Sequence, residues 1–64
     1  MNNNTNNTGR ETMISQQRAF EVSMEIAQNE GRDIAELTDA EIEGYMVDKG
    51  IEETDENIAA IRNA

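Results

Sequence analysis

The 64-residue chain has no cysteine, histidine, proline or tryptophan, and only one phenylalanine and one tyrosine. Without cysteine there is no disulfide framework and no thiolate zinc site. Without His or Cys the usual general base and thiol nucleophile are missing, and Ser15 and Ser23 have no candidate activating partner. Carboxylates are plentiful, but glycosidase chemistry sets two of them across a sugar-sized cleft, which a chain this short can hardly wall off. A non-enzymatic protein without cofactor or metal is the expectation. No stretch approaches the ~20 apolar residues of a membrane helix. No basic start followed by an apolar run opens the chain either. Cytoplasmic residence away from membranes is therefore expected.

Positive charge is scarce as well. Five Lys and Arg stand against fourteen Asp and Glu, for a net charge of −9. The imbalance is uneven: residues 1–30 carry −2 and residues 31–64 carry −7. Such a field repels phosphate, so direct nucleic-acid binding is disfavoured. Ala27, Gly31 and Leu37 echo the spacing of a helix-turn-helix, but the segment that would enter a DNA groove, Asp33 to Glu41, is acidic. No glycine-rich phosphate loop and no aromatic pair for base stacking is present.

Residues 1–9, MNNNTNNTG, hold no apolar residue after the start Met, and asparagine favours local side-chain bonds over a helix or sheet ladder. They read as a disordered tail. Its two N-x-T triplets, at Asn3 and Asn6, are accidents of composition where no secretory leader is seen. Residues 10–64 read as one small acidic domain.

That domain carries helix punctuation. Thr8-Gly9-Arg10-Glu11 fits a capping box opening a first helix that runs to Asn29, with Gly31 as its stop. At about 100° per residue from Met13, the residues Met24, Phe20, Ala27, Ala19, Ile26 and Val22 fall within an arc of about 200°. An apolar face that wide touches two neighbours. Asp33 to Glu36 adds at most one turn. Thr38-Asp39-Ala40-Glu41 is a second capping box, with Leu37 and Ile42 placed as a hydrophobic staple. Lys49-Gly50-Ile51 closes that helix, Gly50 taking the left-handed conformation and Ile51 packing back on Met46. Thr54-Asp55-Glu56 starts a short third helix through Ile58 and Ile61, with acids at its positive dipole end. No run alternates with period two, so no strand is expected. The predicted fold is all-α: one long helix with two shorter ones packed on it. Fifteen large apolar side chains after Met1 make a small core, which a partner or a second copy would support.

On the second helix, Ile42, Tyr45 and Met46 share the predicted core side. Ala40, Gly44 and Val47 lie roughly opposite, rimmed by Asp39 and Glu43 on one edge and by Glu41 and Asp48 on the other. Either Ala40 and Gly44 let a neighbouring helix come close, or the strip admits a partner rich in Arg or Lys. The half-loop Asp39-x-Glu41-x-Glu43-Gly44 echoes an EF-hand, but Gly50 stands where the bidentate Glu belongs. The candidate partner-binding residues are Asp39, Glu41, Glu43, Gly44, Val47, Asp48, Glu52, Glu53, Asp55 and Glu56. They point to a basic protein surface, such as that of a nucleic-acid-binding protein, which this chain would inhibit or modulate. Tiny acidic proteins of viruses and mobile elements are analogous in composition. The alternative is a structural or assembly subunit, a homodimer or a docked component, acting through Met13, Phe20, Met24 and Ala27 of the first helix.

Overall fold

A computed structural model describes residues 10–64; the predicted tail, Thr8 and both N-x-T triplets lie outside the described residues. Three helices follow in order: α1 (Gln16–Glu30), α2 (Asp39–Lys49) and α3 (Asp55–Arg62), with a 3-10 turn at Ile34–Glu36 between the first two. No strand occurs among the described residues. One isolated parallel bridge joins Glu11 to Ile51.

The helix ends follow local chemistry. At α2 the Thr38 hydroxyl accepts from the Glu41 N–H at 3.2 Å, and the Glu41 carboxylate accepts from the Thr38 N–H at 2.9 Å. This is the expected capping box, and both staple residues, Leu37 and Ile42, are buried. Its far end is a Schellman motif. Gly50 sits at φ 72°, its N–H donating to the Val47 carbonyl at 3.2 Å, and the Ile51 N–H donates to the Met46 carbonyl at 2.9 Å. Ile51 is thereby turned into the core. Thr54 caps α3 by accepting from the Asn57 N–H, and Gly31 ends α1 at φ 67°.

The start of α1 departs from the expectation. The helix expected from the Thr8–Glu11 segment begins only at Gln16. Ser15 is the N-cap, its hydroxyl accepting from the Arg18 N–H at 3.0 Å. Glu11 is extended instead: its N–H donates to the Gly50 carbonyl at 2.7 Å and its carbonyl accepts from the Glu52 N–H at 2.8 Å. Extending residues 10–14 gives the backbone two bonds to the α2–α3 connector and lets Ile14 reach the core, where an early helix would offer only a cap.

Cross-links fix the directions of the helices. Lys49 meets Glu25 at 2.6 Å and Tyr45 meets Glu30 at 2.6 Å, so α2 runs antiparallel to α1. Asn57, in the first turn of α3, holds residues 12–14 just ahead of α1. Arg62, in the last turn of α3, donates to the Leu37 carbonyl at 3.0 Å, beyond the end of α1. Helices α1 and α3 therefore run the same way, in an up-down-up bundle.

The core gathers Ile14, Ala19, Val22, Ile26, Leu37, Ile42, Met46, Ile51, Ile58 and Ile61, with Ile34, Tyr45 and Ala60 packed at its edge. This corrects the wide arc on α1. Its buried side is Ala19, Val22, Ser23 and Ile26, about 100° of the helix, while Phe20 and Met24 are 54% and 49% exposed. Eleven- and eight-residue partner helices cover one stripe of α1.

Candidate functional site

The acidic surface rests on how the charges are paired. All five cations form ion pairs inside the molecule. Arg10 meets Glu53 at 3.3 Å, Lys49 meets Glu25, and Arg62 meets Asp39. Arg18 sits on Glu11 at 2.9 Å and on Glu21 at 3.9 Å, and Arg32 joins Glu30 and Glu41 at 3.0 Å each. Every acid of residues 10–30 is thus paired. The acids with no ion pair among the described residues are Asp33, Glu36, Glu43, Asp48, Glu52, Asp55 and Glu56, all within residues 33–56.

The ten predicted site residues divide into three groups. Asp39 and Glu41, at the start of α2, are held internally. Asp39 takes Arg62, while Glu41 takes Arg32 and caps the helix. The backbone N–H of Thr38 first, and then Arg32, hold the Glu41 carboxyl below its ordinary range. They lie about 12–15 Å from the other end of α2, at ~1.5 Å per residue. The EF-hand-like half-loop is regular helix here.

The second group is the outer face of α2. Gly44, Val47 and Asp48 are exposed and Glu43 is half-buried. A Cβ built on Gly44 would meet nothing within 4 Å. Close approach of α1 or α3 therefore does not explain this glycine, nor Ala40, which is also exposed. The third group surrounds the connector into α3: Glu52 and Glu53 are half-buried, and Asp55 and Glu56 are exposed on the first helical turn. Glu53 is taken by Arg10. Of the second and third groups, Glu43, Asp48, Glu52, Asp55 and Glu56 have no ion pair among the described residues, and Asp48 also borders the seam between α1 and α2 beside Tyr45 and Lys49.

Sequence reasoning did not anticipate the polar seam between α1 and α2. The Tyr45 hydroxyl donates to Glu30 at 2.6 Å and accepts from the Asn29 amide at 2.5 Å. That bond to Tyr45, then Arg32, keeps the Glu30 carboxyl below its usual range. Glu30 in turn raises the Tyr45 phenol above its own. A shallow groove of about 420 Å³ follows the seam between Glu25, Gln28, Asn29 and Asp48, Lys49, with Tyr45 in its floor. A neighbouring hollow of about 330 Å³ opens beside Gly44. Tyr45 as the one tyrosine, on the flank of the predicted core side, was the only sequence cue. Among the described residues no group of three or more Asp, Glu, His or Cys is placed to hold a metal ion, and no helix is long and apolar enough to cross a membrane.

Compared with models of known families, with curated proteins and with solved structures, the chain matches none.

Proposed function

We propose that this chain is a non-enzymatic interaction protein whose anionic surface, built on the outer face of α2, the α2–α3 connector and the first turn of α3, docks on a basic protein surface. The nucleic-acid-binding face of another protein is the partner class that such a surface fits. By occupying it, this chain would compete with DNA or RNA and so inhibit or modulate that partner, as tiny acidic proteins of viruses and mobile elements could. Charge pairing supports this assignment. The internal ion pairs use all five cations, and the unpaired carboxylates all fall in residues 33–56. Carboxylates that have no intramolecular partner keep their full field for an incoming Arg or Lys, speeding encounter at low salt and disfavouring acidic competitors. Gly44 adds an opening on the same face, at a cost of about 1 kcal/mol relative to alanine in a helix interior.

The test is capture from a cell lysate with the full chain and with a charge-reversed variant, E43K/D48K/E52K/D55K/E56K, whose helicity is first checked by circular dichroism. Basic nucleic-acid-binding proteins should be retained by the native chain, elute as salt rises, be displaced by added RNA or DNA, and be lost with the variant. Retention that survives both charge reversal and high salt would refute the assignment.

A further inference from the structure

We infer that the hollow of about 330 Å³ between α2 and the end of α1, lined by Asn29, Glu41, Gly44, Tyr45 and Asp48, takes up the guanidinium of an arginine side chain carried by the basic partner. The hollow opens beside the outer face of α2, so its occupant rests on the docking surface proposed above. What is added is one residue type at one place.

Local charge favours a cation. Two carboxylates, Glu41 and Asp48, line the hollow, and no Lys or Arg does. Glu41 is already engaged, one oxygen accepting from the Thr38 N–H and the other from Arg32. Asp48 is exposed and has no ion pair among the described residues, so both of its oxygens are open to a forked donor. Its neighbour Lys49 lines the adjoining groove but is held on Glu25 at 2.6 Å.

Shape and the aromatic floor favour arginine over lysine. Tyr45 lines both the hollow and the groove beside it. Its hydroxyl is engaged by Glu30 and Asn29, so the ring is what it offers an incoming group. A phenol that donates to a carboxylate is richer in electrons at its ring, which strengthens the attraction of a cation lying over it. A guanidinium is planar, so one group can stack on the ring and fork to a carboxylate. An ammonium is a compact, strongly hydrated point charge that does neither as well. Gly44 supplies the room. It stands one turn before Asp48 on the same side of α2, and a Cβ added there would meet nothing within 4 Å. The bonds among Glu30, Tyr45 and Asn29 fix the floor before a partner arrives, which lowers the ordering cost of binding.

Tyr45 is the one tyrosine and the chain has no tryptophan, so intrinsic fluorescence reports on the hollow directly. The full chain is titrated with two octapeptides of equal charge, one alternating glycine with arginine and the other glycine with lysine. The arginine peptide should bind about fivefold more tightly, changing the Tyr45 emission and shifting the Gly44 and Asp48 amide resonances. Gly44→Gln keeps every carboxylate and puts a side chain into the hollow. Asp48→Asn keeps the shape and removes the open carboxylate. Circular dichroism should show both variants folded, and in both the preference for arginine should disappear. Lysine-peptide binding should be the same for Gly44→Gln as for the native chain. Equal affinity of the native chain for the two peptides, or a preference that survives both variants, overturns the arginine assignment, while lysine-peptide binding then leaves the wider anionic surface standing. Binding of the arginine peptide alone, lost in both variants, supports the hollow and refutes the wider surface. Binding of neither peptide overturns both.

Discussion

Asn57 should be the costliest polar side chain to remove. It is 1% exposed and makes three side-chain bonds, two of them to residues 43 and 45 positions away. Its Oδ1 accepts from the Ile14 N–H at 3.1 Å, and its Nδ2 donates to the carbonyls of Thr12 at 3.1 Å and Glu52 at 2.9 Å. Those bonds hold the chain ahead of α1 against the start of α3. Each contributes about 1 kcal/mol net, and a buried donor left without a partner costs about 1–3 kcal/mol. Asn57→Ala should thus lose about 3 kcal/mol, a large share of what a domain this small has. At about 4–8 °C per kcal/mol, the melting midpoint should fall by roughly 12–24 °C. Thermal denaturation followed at 222 nm measures this, and hydrogen exchange should show the Ile14 amide losing its protection. A fall under about 3 °C, with that amide still protected, would refute the reasoning.

Asn57→Asp separates hydrogen bonding from shape. It keeps the volume but turns a carboxylate oxygen toward two carbonyl oxygens. Burial and those carbonyls should raise the carboxyl above its unfolded value of about 3.9. A group so raised costs stability above the unfolded value, and that cost disappears once both states are protonated. The deficit of Asn57→Asp relative to the native chain should therefore shrink as pH falls from 7 through about 4. A deficit independent of pH would mean that the carbonyls are not its cause.

Ser23 is 7% exposed and its hydroxyl makes no hydrogen bond among the described residues. Ser23→Ala should thus stabilise the fold by about 1 kcal/mol through relieved desolvation and better helix propensity, read as a higher melting midpoint. Gly44→Ala should also stabilise by about 1 kcal/mol, because the added methyl meets nothing within 4 Å. If the hollow beside it receives a partner, the same change should weaken capture while raising the midpoint. Self-repulsion at −9 should make the midpoint rise between ~0.02 and ~0.5 M salt, and a flat response would argue against a concentrated surface field. The Glu30 and Glu41 carboxyls are held below their ordinary range by Tyr45, Thr38 and Arg32. Their contribution is present above the unfolded value near 4.3 and is lost as pH falls through the lower folded values. The raised Tyr45 phenol acts in the other direction, its contribution being full below about 10 and lost as pH climbs through its folded value. Tyr45→Phe should remove the alkaline effect, and the part of the acid effect that runs through Glu30, from a stability–pH profile measured by urea denaturation.

The parts of this fold that could be read from sequence are those whose rules fit within a few residues. All of α2 was legible, because its capping box, staple and Schellman ending each relate positions three to five residues apart. The start of α3 and the stop at Gly31 belong with it. The start of α1 was not legible. Thr8-Gly9-Arg10-Glu11 satisfies a capping box on paper, whereas Ser15-Gln16-Gln17-Arg18 has no acid at the third helical position. The choice between them is made by Gly50, Ile51 and Glu52, which lie about forty positions away. The rotation of α1 was hidden for a similar reason. Phe20 and Met24 are as apolar as Val22 and Ile26, and which pair is buried depends on neighbours that only the folded chain brings up. At the candidate site, residue types and the excess of acid in the second half were legible, but pairing was not. Arg62–Asp39, Lys49–Glu25 and Arg10–Glu53 join residues 23, 24 and 43 positions apart. Pairing decides which carboxylates remain open: it withdraws Asp39, Glu41 and Glu53 from the predicted set and leaves Glu43, Asp48, Glu52, Asp55 and Glu56.

The scarcity of cations links stability to surface. With a core of ten buried apolar residues, the domain uses nearly every cation as a tie between elements. Arg10 joins the N-terminal segment to the α2–α3 connector, Arg18 joins that segment to α1, Lys49 joins α2 to α1, and Arg62 joins α3 to α2 and to the carbonyls beside the 3-10 turn. Cations so engaged are unavailable to neutralise the remaining acids, so the ties that hold the bundle together also leave its second half anionic.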